Sequence, residues 1–398
     1  MEVSKRTKEI SPSLTLEISA KAKKMKAEGI SVIGFTAGEP DCNTPDYIIE
    51  SAKRALDEGF TKYTPASGTQ ELKQAICNKL SRDNGLNYTT DQILISTGAK
   101  SSLFHIISAM VEEGDEVIIP SPYWLTYPEL VKLAGGKCVY VETKKENGYK
   151  ITAKELESAI TEKSKCIILN SPNNPTGAVY TEEELRALSE VIINNDLLVI
   201  SDEIYEKLIY DGEKFYSIAQ VSEQIKNRTV VVNGLSKAYS MTGWRVGYLA
   251  GPKEIVKAAS SMQSHTTSNT CSISQYASVE ALNSPKSEEF ISQMVTAFDR
   301  RRKLLMEKMS EIEGVEFSAP KGAFYLFLDV SSYYGKSFNG EVINGSLKFC
   351  DLALAKGVAL IPGVAFGEDK CVRLSYAIAD EDIIEGAKRI KSFISELK

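Results

Sequence analysis

The chain has 398 residues, 43% hydrophobic and 25% charged, the balance of an ordinary globular protein long enough for one large domain and a smaller one. With 53 acidic against 47 basic residues its formal net charge is −6, which argues against a nucleic-acid partner and means that any acidic ligand needs local cations. Seven scattered cysteines without a CxxC pair suggest neither a disulfide framework nor a zinc site, and two histidines, His105 and His265, leave little for a His-based metal centre or a Ser/His/Asp triad.

The opening MEVSKRTKEISPSLTLEISAKAKKMK contains no apolar core of signal-peptide length, and no later run approaches a membrane span, so a cytoplasmic chain is expected. This N-terminal stretch shows no sheet of its own, and residues 1–47 are expected to pack against the C-terminal unit. Short apolar strands then alternate with amphipathic helical stretches: DQILIST (91–97), DEVIIP (115–120), KCVYVE (137–142), KCIILN (165–170), DLLVISD (196–202), TVVVNG (229–234) and VGYLAG (246–251). Their pattern predicts an α/β fold, a mostly parallel seven-stranded sheet flanked by helices, in a large domain over 48–290. Helical periodicity dominates from Pro252 to about Gly314. A second α+β set follows, with AFYLFLDV (323–330), a helix near 345–356, VALIP (358–362), VRLSYA (372–377) and a terminal helix, which predicts a smaller α+β domain over 291–398.

In open α/β sheets ligands bind at the carboxyl ends of the strands, so the residues there are the candidates. ILISTGAKSSLFHII (93–107) reads as strand, tight turn at Gly98, then helix, which gathers backbone N–H groups and a helix dipole where an anion can sit. It matches neither GxxxxGK[ST] nor GxGxxG, which disfavours nucleotide hydrolysis and nicotinamide chemistry; a glycine there is by itself more often only a turn. NSPNNPTGAVY (170–180) is a polar loop after a buried strand, and VISDEIYEKL (199–208) puts Asp202 at the end of the next, where an isolated Asp is more often a helix N-cap. NGLSKAYSMTGWRVG (233–247) sets Lys237 just past a strand among small residues; taken alone, a lysine is more often simply solvated. One cofactor accounts for the lysine, the acid, the phosphate cradle and the scarcity of histidine together. It is pyridoxal 5'-phosphate, bound as a Schiff base to Lys237, with Asp202 keeping the ring nitrogen protonated.

The blocks TAGEPDCNTP, KYTPASG, STGAK, SPYWLTYPE, NSPNNPTGAVY, SDEIYE, NGLSKAYSMTGWRVGY, GAFYLFLD and VRLSYA, in this order, give the chain a resemblance over nearly its whole length to fold-type I, class I aminotransferases, and most closely to the bacterial aspartate aminotransferase subgroup. The resemblance implies that Lys237 holds the cofactor and shuttles the proton at the substrate Cα, with Asp202 and Tyr205 completing the catalytic set. Asn174 and Tyr205 would bond the ring's phenolic oxygen, and Trp124 would stack on the ring. Gly98, Ala99, Lys100, Ser236 and Arg245 would hold the phosphate. Many relatives carry a serine where this chain has Gly234, so Ser236 and Arg245 carry more of that anchoring. Tyr63 would reach in from a neighbouring subunit, which implies a homodimer.

Arg373 would clamp the substrate α-carboxylate beside Gly38, Trp124 and Asn174, a task suited to its planar fork, against the alternative of a structural salt bridge. Some relatives bring an arginine from the other subunit in the stretch matching SSMQSHTTSNTCS (260–272), which has none here. In the subgroup a lysine of the phosphate loop reads the distal carboxylate. That lysine is Lys100 in this chain, with Ser13 and Thr15 as polar helpers; the alternative leaves Lys100 neutralising phosphate or capping a helix. The expected reaction is ping-pong transfer of an amino group from an L-amino acid, aspartate first, to 2-oxoglutarate. An aminotransferase of aromatic or alanine specificity, a β-lyase on the same cofactor, and a non-catalytic regulator are the alternatives; the last would need a DNA-binding module for which the N-terminal stretch is too short.

Overall fold

The apolar runs between residues 91 and 251 become one sheet in the computed structural model, which describes residues 2–398 apart from the side chain at position 6. After a two-residue strand, β1 (Ile33–Gly34), come β2 (Ile93–Ser96), β3 (Glu116–Ser121), β4 (Lys137–Glu142), β5 (Ser164–Asn170), β6 (Leu198–Asp202), β7 (Thr229–Gly234) and β8 (Gly247–Ala250). The sheet order is β2-β8-β7-β6-β5-β3-β4. Only β8 breaks the parallel pattern, running antiparallel to β2 and β7. Its connection to β7, residues 235–246, is a run of turns with no crossover helix, and a parallel return would need one.

Alternation along each buried strand divides its side chains between two helical layers. In β7, Val230 and Val232 face the layer containing Leu103, Ile106 and Val256, from helices Ala99–Met110 and Lys253–Ser264. Val231 faces the opposite layer with Leu72, Ile76 and Ala277, from helices Gln70–Asn84 and Ser272–Asn283. Local signals set the helix ends. The Thr69 hydroxyl accepts from Leu72 N at 3.4 Å, Gly85 closes the same helix in the left-handed region, and Thr181 with Glu184 forms a capping box on Glu182–Asn194.

The C-terminal part adds β9 (Glu316–Phe317), β10 (Tyr325–Asp329), β11 (Ser337–Phe338), β12 (Glu341–Val342), β13 (Val358–Ala359), β14 (Ile361–Pro362) and β15 (Cys371–Ser375). Four of them make an antiparallel sheet in the order β14-β15-β10-β9, packed by helices Lys286–Ser310 and Asp380–Ser395 around Phe298, Phe324, Leu326 and Phe393. VALIP is not one strand. Its first half, β13, pairs parallel with β1, and its second half, β14, pairs antiparallel with β15, so the chain changes partners at Leu360. Two other strands start later than their apolar runs. Asp196 and Ala323 both have φ in the left-handed region, 56° and 59°, and extended pairing begins only beyond them, at Leu198 and Tyr325. Among the described residues no helix is long and apolar enough to cross a membrane, and no group of three His, Cys, Asp or Glu side chains is placed to hold a metal.

Candidate active site

The carboxyl ends of β2, β5, β6 and β7 open on a cleft of about 540 Å³, closed on its far side by β15 and by helix Leu14–Ala27. Lys237, Asp202, Tyr205, Asn174, Trp124, Ala99, Lys100, Ser236, Arg245, Gly38, Arg373 and Thr15 all line it.

Asp202 ends β6 and is buried. One carboxylate oxygen accepts from the Tyr127 hydroxyl at 2.7 Å, the other from the amide of Ile204 at 3.3 Å. The second bond is a two-residue turn contact. No helix starts there, so the capping role does not apply. Burial lifts the carboxyl to about 6, against the pull of Tyr127, Ile204 and Lys237. A cation held beside this oxygen pair would return it to the ionised form.

Lys237 sits in the turn after β7 and donates to the carbonyl of Gly38 at 2.5 Å. Its amine lies 5.8 Å from the Tyr205 ring centre and 5.9 Å from that of Phe324. Burial lowers it to about 8; Arg373 and Arg245 push the same way, while Glu39 and Asp202 oppose. Such an amine is a nucleophile near neutral pH, which a solvated surface lysine is not.

Arg373, in β15, is buried and has no carboxylate partner among the described residues, so it is not a structural salt bridge. Its guanidinium stands 4.3 Å over the Tyr325 ring and 5.0 Å from that of Phe366, and one arm donates to the side-chain oxygen of Asn174 at 2.8 Å. Its Nε is buried without a partner. A buried cation left in this state is built for an incoming anion. The same contact uses the oxygen of Asn174 and leaves its amide N–H groups for a bound molecule. Tyr205 shares a 2.9 Å hydrogen bond with the Tyr325 hydroxyl.

The anion cradle forms where β8 meets the turn after β2. Gly98 has φ 81°, and a Cβ on it would fall 2.2 Å from an Arg245 nitrogen; a Cβ on Gly247 would fall 2.2 Å from the Ala99 amide nitrogen. Both glycines therefore let backbone and guanidinium close on one point. Arg245 is itself left-handed at φ 56° and donates to Thr242 O at 2.7 Å, strain that orients the guanidinium toward Gly98. The Ala99 and Lys100 amides open helix Ala99–Met110 with no acceptor among the described residues. Lys100 holds its amine 4.9 Å from the Trp124 ring centre without a carboxylate partner, its pKa lowered by desolvation and by Arg245.

Two expected residues stand apart. Ser13 does not line the cleft and shares a 3.0 Å bond with Thr15, which does. Tyr63 is 91% exposed and does not reach the cleft of its own chain. The sequence reading also missed Tyr127, Tyr325, Glu39 and Thr242. Tyr127 falls in the SPYWLTYPE block and Tyr325 in GAFYLFLD, but their roles rest on bonds to residues 75 and 120 positions away. Glu39 accepts from Thr242 at 2.6 Å, next to the carbonyl that holds Lys237.

A family model described as aminotransferase class I and II matches residues 30–390. The aspartate aminotransferase of Bacillus subtilis (strain 168) is 48% identical over 396 residues, the match covering 100% of each chain. Among solved structures, the aspartate aminotransferase from Rhizobium meliloti matches with a TM-score of 0.96 at 42% identity over 100% of both chains. The aspartate aminotransferase of Thermus thermophilus with maleate matches at 0.94 and 39% identity over 99% of this chain and 100% of that one.

Proposed function

From the premise that this chain belongs to the class I and II aminotransferase family, whose cofactor is pyridoxal 5'-phosphate, we propose that it moves the amino group of aspartate or glutamate to a 2-oxo acid, 2-oxoglutarate above all. The observation that carries this is the buried, carboxylate-free Arg373 facing a lysine lowered to about 8, with a second unpaired cation, Lys100, in the same cleft. Two cations suit two carboxylates. The dicarboxylate maleate in the Thermus thermophilus relative's structure supports the same reading.

The residues fit the cofactor. The Ala99 and Lys100 amides, Ser236 and Arg245 would hold its phosphate, Asp202 its ring nitrogen, Tyr205 and Asn174 its phenolic oxygen, Trp124 its face and Lys237 its aldehyde carbon. When bound, pyridoxal phosphate supplies an aldehyde that condenses with amines and a ring that takes up the electron pair left when Cα loses its proton. Arg373 orients the substrate by its α-carboxylate, with Asn174 fixing the guanidinium. The amine of Lys237, lowered to about 8, would take the Cα proton of the bound substrate and give it back. Asp202 would stay ionised beside a protonated ring nitrogen, and Tyr127 holds its carboxylate in place.

We place Tyr63 in the phosphate site of a second copy, so that the working unit is a homodimer; its 91% exposure supports this. We divide the chain into a large domain over 48–290 and a small one over 291–398 that carries residues 1–47, a division supported by the pairing of β1 with β13. A cytoplasmic enzyme with free thiols completes the reading.

Half-reaction rates over a panel of amino acids test it, with release of 2-oxo acid, and no ammonia, separating transamination from β-elimination. Lys100→Ser is expected to lower kcat/KM for aspartate and glutamate roughly 10- to 100-fold while sparing alanine and aromatic donors, the size of one charged hydrogen bond. An equal fall for all donors would make Lys100 a phosphate ligand instead. Gly247→Ala pushes a methyl onto the Ala99 amide nitrogen, so cofactor affinity measured by equilibrium dialysis is expected to fall about tenfold or more, with the far-ultraviolet dichroism unchanged. Unaltered affinity would place the phosphate elsewhere.

A further inference from the structure

Helix Leu14–Ala27 turns Thr15, Leu16, Ser19, Ala22, Lys23 and Lys26 toward the cleft, a spacing of one, three, three, one and three residues that defines a single helical face. Ala22 anchors that face on Val32, Leu354 and Ala359. Lys23 and Lys26, one turn apart, remain exposed at the cleft mouth.

The four neighbouring lysines of this helix differ in their use. Lys21 pairs with Asp351 at 3.2 Å and Lys24 with Glu28 at 3.9 Å. Lys23 and Lys26 have no carboxylate within 4.0 Å among the described residues, and they are the two that line the cleft. They also lie in the last turns of the helix, where the dipole favours cations.

The chain as a whole carries −6 and repels anions. Inside the cleft the balance is reversed: Lys100, Lys237, Arg245 and Arg373 stand against Glu39 and Asp202, and cofactor phosphate removes most of that surplus. A dicarboxylate approaching from solvent therefore meets a positive field only if the mouth supplies it.

We propose that Lys23 and Lys26 are an electrostatic entry for anionic substrates, a pair that sets specificity by net charge and touches no reacting atom. The proposal rests on the dicarboxylate reading of the cleft given above. A field of this kind acts on the whole charge of the solute, so its effect follows the exponential of that charge. Alanine, a zwitterion, has net charge 0; aspartate and glutamate carry −1; 2-oxoglutarate carries −2. The loss on removing the field should therefore be none, moderate, and about the square of moderate, an ordering that a direct hydrogen bond to one carboxylate does not produce.

The test is kcat/KM of the holoenzyme against ionic strength for Lys23→Gln/Lys26→Gln, with Lys23→Arg/Lys26→Arg as the charge-retaining control. Both positions are exposed and glutamine is a good helix former, so folding is kept. In about 10 mM salt the glutamine variant is expected to lose roughly two- to threefold for aspartate and roughly four- to ninefold for 2-oxoglutarate, with kcat unchanged and alanine unaffected. Near 0.5 M salt the differences should vanish, and the arginine variant should follow the wild type throughout. No loss at low salt, a loss that persists at high salt, or one equal for alanine and 2-oxoglutarate overturns the entry role. A wild-type enzyme without dicarboxylate preference overturns the earlier reading; one that keeps the preference while the glutamine variant matches it overturns this inference alone.

Discussion

Lys237→Ala is expected to abolish steady turnover and the visible colour of the holoenzyme, while cofactor still binds through its phosphate. At about 8, roughly a tenth of this amine is neutral at pH 7, against roughly 0.03% for an ordinary lysine, so the side chain is poised both to condense and to carry a proton. A methyl does neither. Loss of the acid–base function alone costs up to roughly 10,000-fold, and loss of the covalent link adds to it. Single-turnover mixing with aspartate measures the first effect and an absorbance spectrum the second. Transamination within tenfold of wild type would remove Lys237 from the chemistry.

The second large effect is at Asp202. Asp202→Asn keeps the shape and the acceptor for Tyr127 but removes the charge, in a position where burial already holds the carboxyl near 6. A neutral amide cannot balance a protonated ring nitrogen, and deprotonation at Cα is expected to fall roughly 100- to 1,000-fold, as when one preorganised electrostatic partner is taken from an enclosed site. Exchange of the Cα proton with deuterated solvent reads this directly. The melting temperature should stay within a few degrees, because the interchange leaves no cavity and gives up only the long 3.3 Å bond from the Ile204 amide. The pH profile carries the same sign: the carboxyl is raised by burial, so its protonated form grows as pH falls toward 6, and the bound cation moves that limb lower. An Asn variant with wild-type exchange would leave Asp202 a purely structural acid.

Much of this arrangement was legible before any fold was known. Apolar runs bounded by Gly, Asn and Asp marked the strands of the large sheet, because burial on both faces forces a continuous hydrophobic composition. Once those runs are strands, the residues just past their carboxyl ends share one edge, which brought Gly98, the loop 170–180, Asp202 and Lys237 together on paper; Asn174 within that loop was singled out only by the family resemblance. The split of VALIP between two sheets was not legible, because β13 and β14 carry the same apolar signal and only their partners, β1 and β15, differ.

By itself, then, the sequence determined which residue types stand at which strand ends, and from them the cofactor class, since local composition dictates backbone conformation and burial. Only the tertiary structure decided which side chains touch: Tyr127 on Asp202 across 75 positions, Arg373 on Asn174 across 199, and a face of the N-terminal helix along the cleft with two unpaired lysines. The physical reason is that hydrogen bonds and fields act through space over a few ångströms. Chain separation carries no record of that distance until packing has fixed it.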